Sequence, residues 1–197
     1  IYNSGTIGNV VGNFISNSAV ANTSVNGGVI YNYGSIKGIN GNFANNSSIA
    51  ATLINGSVIS NAGTIDSISG VIANNYSKAG TYNYGPMLFN KGNIQDLSVS
   101  FLNNTGIADG TYAGGILTNH SGGNISSING DFIGNTLNGN TYSYGAGLYN
   151  SGSIGSVSGN FVNNSAIAKT FAFGGALMNQ GTIDSISGSF IFANKFQ

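Results

Sequence analysis

The stretch GGVIYNYGSIKGINGNF, Gly27 to Phe43, returns far downstream as GGALMNQGTIDSISGSF, Gly174 to Phe190. The two share glycines, an aliphatic residue, an Asn, an Ile and a Phe at the same offsets, while the residues between them drift. The frame also recurs between these copies. Aligned on the aliphatic, units start at Ile1, Ile30, Ile59, Leu88, Leu117, Leu148 and Leu177, with spacings of 29, 29, 29, 29, 31 and 29 residues. The two extra residues of the fifth unit fall near NHSGGN, between Asn119 and Asn124. The repeat covers residues 1–197 as one domain without a linker. A chain that starts on Ile in mid-pattern reads as part of a longer protein or as one subunit of a polymer.

Within the unit, position 1 is always Ile or Leu, and position 7 is always Ile, from Ile7 and Ile36 to Ile183. Position 10 is Val, Ile or Leu, and position 14 is Phe except for Ile72. Helical repeats need apolar residues at i, i+3, i+4 and i+7 together with good helix formers. Here Ile, Val, Tyr, Phe, Thr and Ser instead occur in short runs broken by Gly and Asn, which are strand and turn residues. About 29 residues suit three short strands and three turns per coil, at ~3.3 Å per strand residue. Stacked coils would set like on like and fill the interior with columns of Ile, Leu and Phe. The expected fold is all-β: a parallel β-helix, or solenoid, of about seven coils at ~4.8 Å spacing.

Asn holds position 3 in every unit: Asn3, Asn32, Asn61, Asn90, Asn119, Asn150 and Asn179. A second column holds Asn17, Asn46, Asn75, Asn104, Asn135 and Asn164, with Asn194 one place late in the last unit. At coil corners such amides can bond to the same amide one coil away, as in cross-β ladders, and Asn tolerates left-handed backbone. A structural ladder is preferred here over a sugar-binding one. Gly27, Gly56, Gly85, Gly114, Gly145 and Gly174 share position 27, where a positive φ or a close backbone approach is the simplest reason. No helix start follows them, so no phosphate-binding loop is implied.

Charged residues are 5% of the chain against a typical ~25%. Five Lys balance five Asp, so nothing favours nucleic acid or an anionic membrane. With 41% hydrophobic residues disorder is not expected, and with no Cys there are no disulfides or thiolate metal sites.

The tetrapeptides GGAL (174–177), GAGL (145–148) and GGIL (114–117), followed downstream by FVNN, FLNN and FANN, resemble the GGA(I/L/V) and FxxN motifs of chlamydial polymorphic membrane proteins. They are similar also to the GTIGSISGNF-type repeats of other autotransporter passenger domains. The resemblance spans the chain, although Ser57, Pro86 and Ala146 replace the motif's second glycine. It implies a right-handed β-helix exported through an outer-membrane barrel and displayed on a Gram-negative cell surface. The implied roles are adhesion or self-association. The partners would be a host or neighbouring-cell protein, a glycan, or the chain itself, with the parent chain anchored in the outer membrane.

An enzymatic β-helix needs clustered carboxylates, but Asp66, Asp96, Asp109, Asp131 and Asp184 are scattered over the repeat. The expected function is therefore non-enzymatic, with no cofactor or metal. Lys37 and Asp66 share position 8 in adjacent coils and are placed for a surface ion pair. His120, the only His, reads as an exposed loop residue, and regular Thr columns of an ice-binding face are missing. The candidate contact surface is aromatic. If position 1 points inward, position 2 points outward and presents Tyr2, Tyr31, Phe89 and Tyr149, with Tyr33 nearby. A second group precedes the position-27 glycines: Tyr82, Tyr84, Tyr112, Tyr142, Tyr144, Phe171 and Phe173. Alternation does not carry through a glycine turn, which leaves this group either core or exposed. Two uses fit the pattern: an autotransporter-type adhesin, or a subunit of a self-assembling extracellular filament stacked end to end.

Overall fold

Branched aliphatics at fixed intervals, separated by glycine and Asn, leave the chain little choice but to stack like on like. The computed structural model, which describes residues 1–191, shows a parallel β-solenoid of about seven turns, with no helix among the described residues. Each of the first six coils contributes strands to four sheets rather than the three that its length suggests. In the second coil these are Ile30–Asn32, Ser35–Ala44, Ser47–Ala50 and Leu53–Asn55. The stretch after the second Asn column bends at Ala51 and Thr52, so one expected strand becomes two. Like strands stack into four parallel sheets of seven, ten, six and six strands. The second sheet counts ten because its long strand splits in the later coils, as at Asn124–Asn129 and Phe132–Ile133.

The register sets Ile30 against Ile59, Ile36 against Ile65, and Phe14 against Phe43. Columns 1, 7 and 10 form the buried interior, including Ile59, Leu88, Ile65, Ile94, Ile68 and Leu97. Ile36 and Ile39 both face inward although three apart, which a flat strand does not allow. The chain kinks between them, and Lys37 and Asp66 drop out of the register there. The Phe column stacks face to face, with Phe101–Phe132 at 4.9 Å and Phe132–Phe161 at 4.6 Å.

Both Asn columns are hydrogen-bonded ladders. In the first, each Nδ2 donates to the Oδ1 of the next coil's Asn, from Asn3 through to Asn179, at 2.7–2.9 Å. The same Nδ2 reaches the carbonyl two residues on, as Asn90 does to Gly92. In the second ladder, Asn17 to Asn164 are joined at 2.8–3.1 Å, and each acceptor Oδ1 also takes the backbone N–H of the preceding coil's Asn. Asn194 lies outside the described residues. The left-handed residues are not the ladder Asn but their neighbours Asn45, Asn74, Asn103 and Asn163, with φ of 52–56°. These Asn are exposed and turn the corner, which leaves the following Asn to point inward.

The two-residue insertion sits inside a turn that Gly123 N–H closes onto the His120 carbonyl at 2.8 Å. Asn119 consequently bonds to Gly123, four residues on, and still reaches Asn150 at 2.8 Å. The ladder is preserved and the extra length is absorbed outside it.

Replacing Asn90 by Ala removes a donor and an acceptor from the middle of a buried ladder. Urea unfolding should show a loss of about 2–4 kcal/mol, one or two unsatisfied groups at ~1–3 kcal/mol each. Asn138→Ala, at an exposed amide, should stay within ~0.5 kcal/mol. Equal losses in the two variants would contradict the ladder's role. Phe132→Ala, which empties a stack from both sides, should cost about 3–5 kcal/mol.

Candidate functional site: an aromatic strip

In the fourth sheet the middle residue of each strand points inward, as Ile54, Asn83, Ala113 and Ser143 do. Its neighbours therefore point out. Tyr82 and Tyr84, Tyr142 and Tyr144, and Phe171 and Phe173 all lie outside the core, which resolves the choice that the sequence leaves open. Phe171 and Phe173 are 47% and 41% exposed, and Tyr82 is 37% exposed.

The first sheet runs alongside, joined to the fourth by the position-27 turn. At Gly56 φ is +66°, and a Cβ would sit 2.0 Å from the Ile59 carbonyl oxygen, so only glycine fits. This sharp turn brings the two outward columns side by side. Phe89 and Tyr149 do face away from the core, but they are almost covered rather than exposed, at 8% and 9%. The cover comes from the next sheet: Tyr84 lies 6.5 Å from Phe89, and Tyr144 lies 5.8 Å from Tyr149. Neither is a free contact residue as position 2 alone suggests; both are the floor of a two-layer aromatic strip.

One coil breaks the alignment. Tyr82 pairs with Tyr112 and Asn83 with Ala113, a slip of one residue, although Leu88 and Leu117 are back in register. Gly114 therefore does not occupy the left-handed turn position that its repeat number assigns. It stands in the outward column, where a ring would otherwise be, and the Tyr112 ring lies over it: a Cβ on Gly114 would meet Tyr112 Cε1 at 3.2 Å. Tyr112 bridges the gap, 4.8 Å from Tyr84 and 4.9 Å from Tyr144. Rings thus touch without a break from Tyr82 to Phe173. His120 joins them, half-buried and 5.5 Å from Phe89, rather than standing free in its loop.

Tyr2, Tyr31 and Tyr33 form a separate group at 5.8 and 4.8 Å. Tyr2 and Tyr33 are exposed and Tyr31 is half-buried. Burial is the main reason that the phenols of Tyr31, Tyr84, Tyr112 and Tyr144 are all pushed up, and neighbouring Tyr hydroxyls add to it. These hydroxyls stay protonated and can donate hydrogen bonds. Charge is placed elsewhere. The Lys37–Asp66 pair does not form: the kink takes both residues out of the register, and such a bond in solvent is worth only ~0–1 kcal/mol; Lys78 instead meets Asp109 at 3.0 Å, also at the surface. Among the described residues no three His or Asp side chains gather as a metal site requires.

Folding raises these phenols above their unfolded value. Their contribution to stability is therefore complete below the ordinary phenol value of about 10 and is lost as pH rises from there through the folded value. Ultraviolet titration of folded Tyr112→Phe should show one fewer phenol in the late-ionising part of the curve, with Tyr31, Tyr84 and Tyr144 still there, and the variant should lose less stability at alkaline pH. An unchanged curve would contradict the buried placement of Tyr112. Comparison with protein-family models, curated proteins and solved structures gives no match to this chain.

Proposed function

We propose that this chain is a non-enzymatic attachment segment, displayed outside the cell in the manner of an autotransporter passenger, that holds its ligand against the aromatic strip. The observation that carries this reading is the unbroken run of rings from Tyr82 to Phe173 on a surface with little charge. Half-exposed aromatics suit protein contacts and stacking on sugars, and they cost little entropy to order. Asp66 and Asp96 line one open cavity of about 390 Å³, but no His, Lys or third acid lines it with them and the other Asp residues lie elsewhere, which supports attachment over catalysis.

A second reading, end-to-end assembly into filaments, draws on the direction of the ladders. In both, donors point toward the following coil and acceptors toward the preceding one. Any two coils in this register are therefore complementary.

Attachment of the purified chain to host cells, host proteins and a glycan array should fall about tenfold in Tyr82→Ser/Phe171→Ser, with the fold unchanged. Electron microscopy of the same samples should show dispersed rods. Ordered filaments with undiminished attachment in the variant would favour assembly, and cleavage of any polysaccharide would overturn the non-enzymatic reading.

A further inference from the structure

The aromatic face is interrupted at one place. The third coil puts Ser60 and Ala62 where the second has Tyr31 and Tyr33, and the second puts Asn55 where the third has Tyr84. Rings on both sides and none between leave a notch of about 420 Å³. One wall is Tyr31 and Tyr33; the other is Tyr84, Phe89 and His120. Ser60 lies in the floor, and Lys91 stands at the rim.

The dimensions select a flat ring. Tyr31 and Phe89 belong to coils two apart, a backbone separation of about 9.6 Å at ~4.8 Å per coil. A saturated ring held between two aromatic faces needs about 7–8 Å, two carbon contacts of ~3.5–4.0 Å, plus its own pucker. The volume is within the ~300–1,000 Å³ usual for small-ligand sites. Polar groups are present as well. Asn55 Nδ2 donates to Asn26 Oδ1 at 2.8 Å, and among the described residues the Asn55 amide oxygen and the Asn26 NH2 have no other protein partner.

Charge narrows the choice. Lys91 lines the notch, no carboxylate does, and among the described residues none lies within ion-pairing distance of Lys91. A neutral sugar would leave that ammonium unused, and a cationic one would be repelled. We propose that the notch binds one carboxylated pyranose of an acidic glycan, stacked between the Tyr31–Tyr33 wall and the half-exposed Tyr84, with the sugar carboxylate toward Lys91 and the covered Phe89 beneath. The proposal rests on the attachment reading, whose surface it shares, and names the ligand class.

Titration calorimetry with trigalacturonic acid and with sialyllactose separates uronic from sialic acid as the source of the carboxylate. The methyl-esterified trisaccharide and lactose serve as neutral counterparts. At least one acidic sugar should bind about tenfold tighter than its neutral counterpart, and Lys91→Gln should bring the two together. Ser60→Tyr continues the ring column of its neighbours, should fold, and should abolish binding by filling the notch. Should that variant not fold, Tyr33→Ala removes a 54% exposed wall residue and should weaken binding likewise. Undiminished binding in the folded variant, preference for the neutral sugars, or no binding of either acidic sugar overturns the proposal. If neither acidic sugar binds while cell attachment still depends on Tyr82 and Phe171, the notch fails and the attachment reading stands. If acidic sugars bind through Ser60 and Lys91 while attachment ignores Tyr82 and Phe171, the attachment reading fails and the notch stands.

Discussion

A primary amide buried in each of the first six coils, satisfied by the same amide of the next coil, is the constraint on which this structure depends. Asn90 illustrates it. Its oxygen accepts from Asn61 and its nitrogen donates to Asn119, and the three are fully buried. In a low-dielectric interior an unmatched amide is costly, and a matched one is strong. A slip by one residue would break the ladder and turn the apolar column toward solvent at once. The spacing of 29 residues follows from this demand, and no buried side-chain nitrogen or oxygen among the described residues lacks a partner. Extra residues are accommodated only where the turn after Asn119 can hold them outside the ladder.

Columns of amides, Ile and Phe carry stability through the interior, so outward positions are free to vary. Most carry small polar residues. On the edge where the first and fourth sheets meet they carry rings, and the rings build on one another: Phe89 and Tyr149 form a floor, and Tyr84, Tyr112 and Tyr144 cover it. A rigid repeating scaffold of this kind holds such groups in fixed relation. That is what a contact surface with little charge needs in order to select a partner by shape and stacking.

The interior was legible in the sequence because each column repeats one kind of side chain. Ile at position 7 and Asn at positions 3 and 17 name their own neighbours once coils are stacked. The fourth strand was not, because Ser47–Ala50 and its counterparts share only a small last residue, Ala or Gly, and otherwise mix Ser, Thr, Ile, Lys and Tyr. The near burial of Phe89 and Tyr149 depends on rings contributed by another sheet, which alternation along their own strand does not report. The slip at Tyr112 is compensated before Leu117, so unit length conceals it, and Gly114 looks like its counterparts while doing something different. His120 gave no signal beyond its isolation, since its partners Tyr84 and Phe89 come from the preceding units.

Side-chain amide hydrogen exchange, followed by NMR, tests the ladder account most directly. The Nδ2 protons of Asn61, Asn90 and Asn119 should be protected as strongly as the backbone amides of the flanking strands, because they open only when the coils separate. Exchange of these protons at the rate of exposed Asn138, in a protein whose backbone amides stay protected, would contradict it.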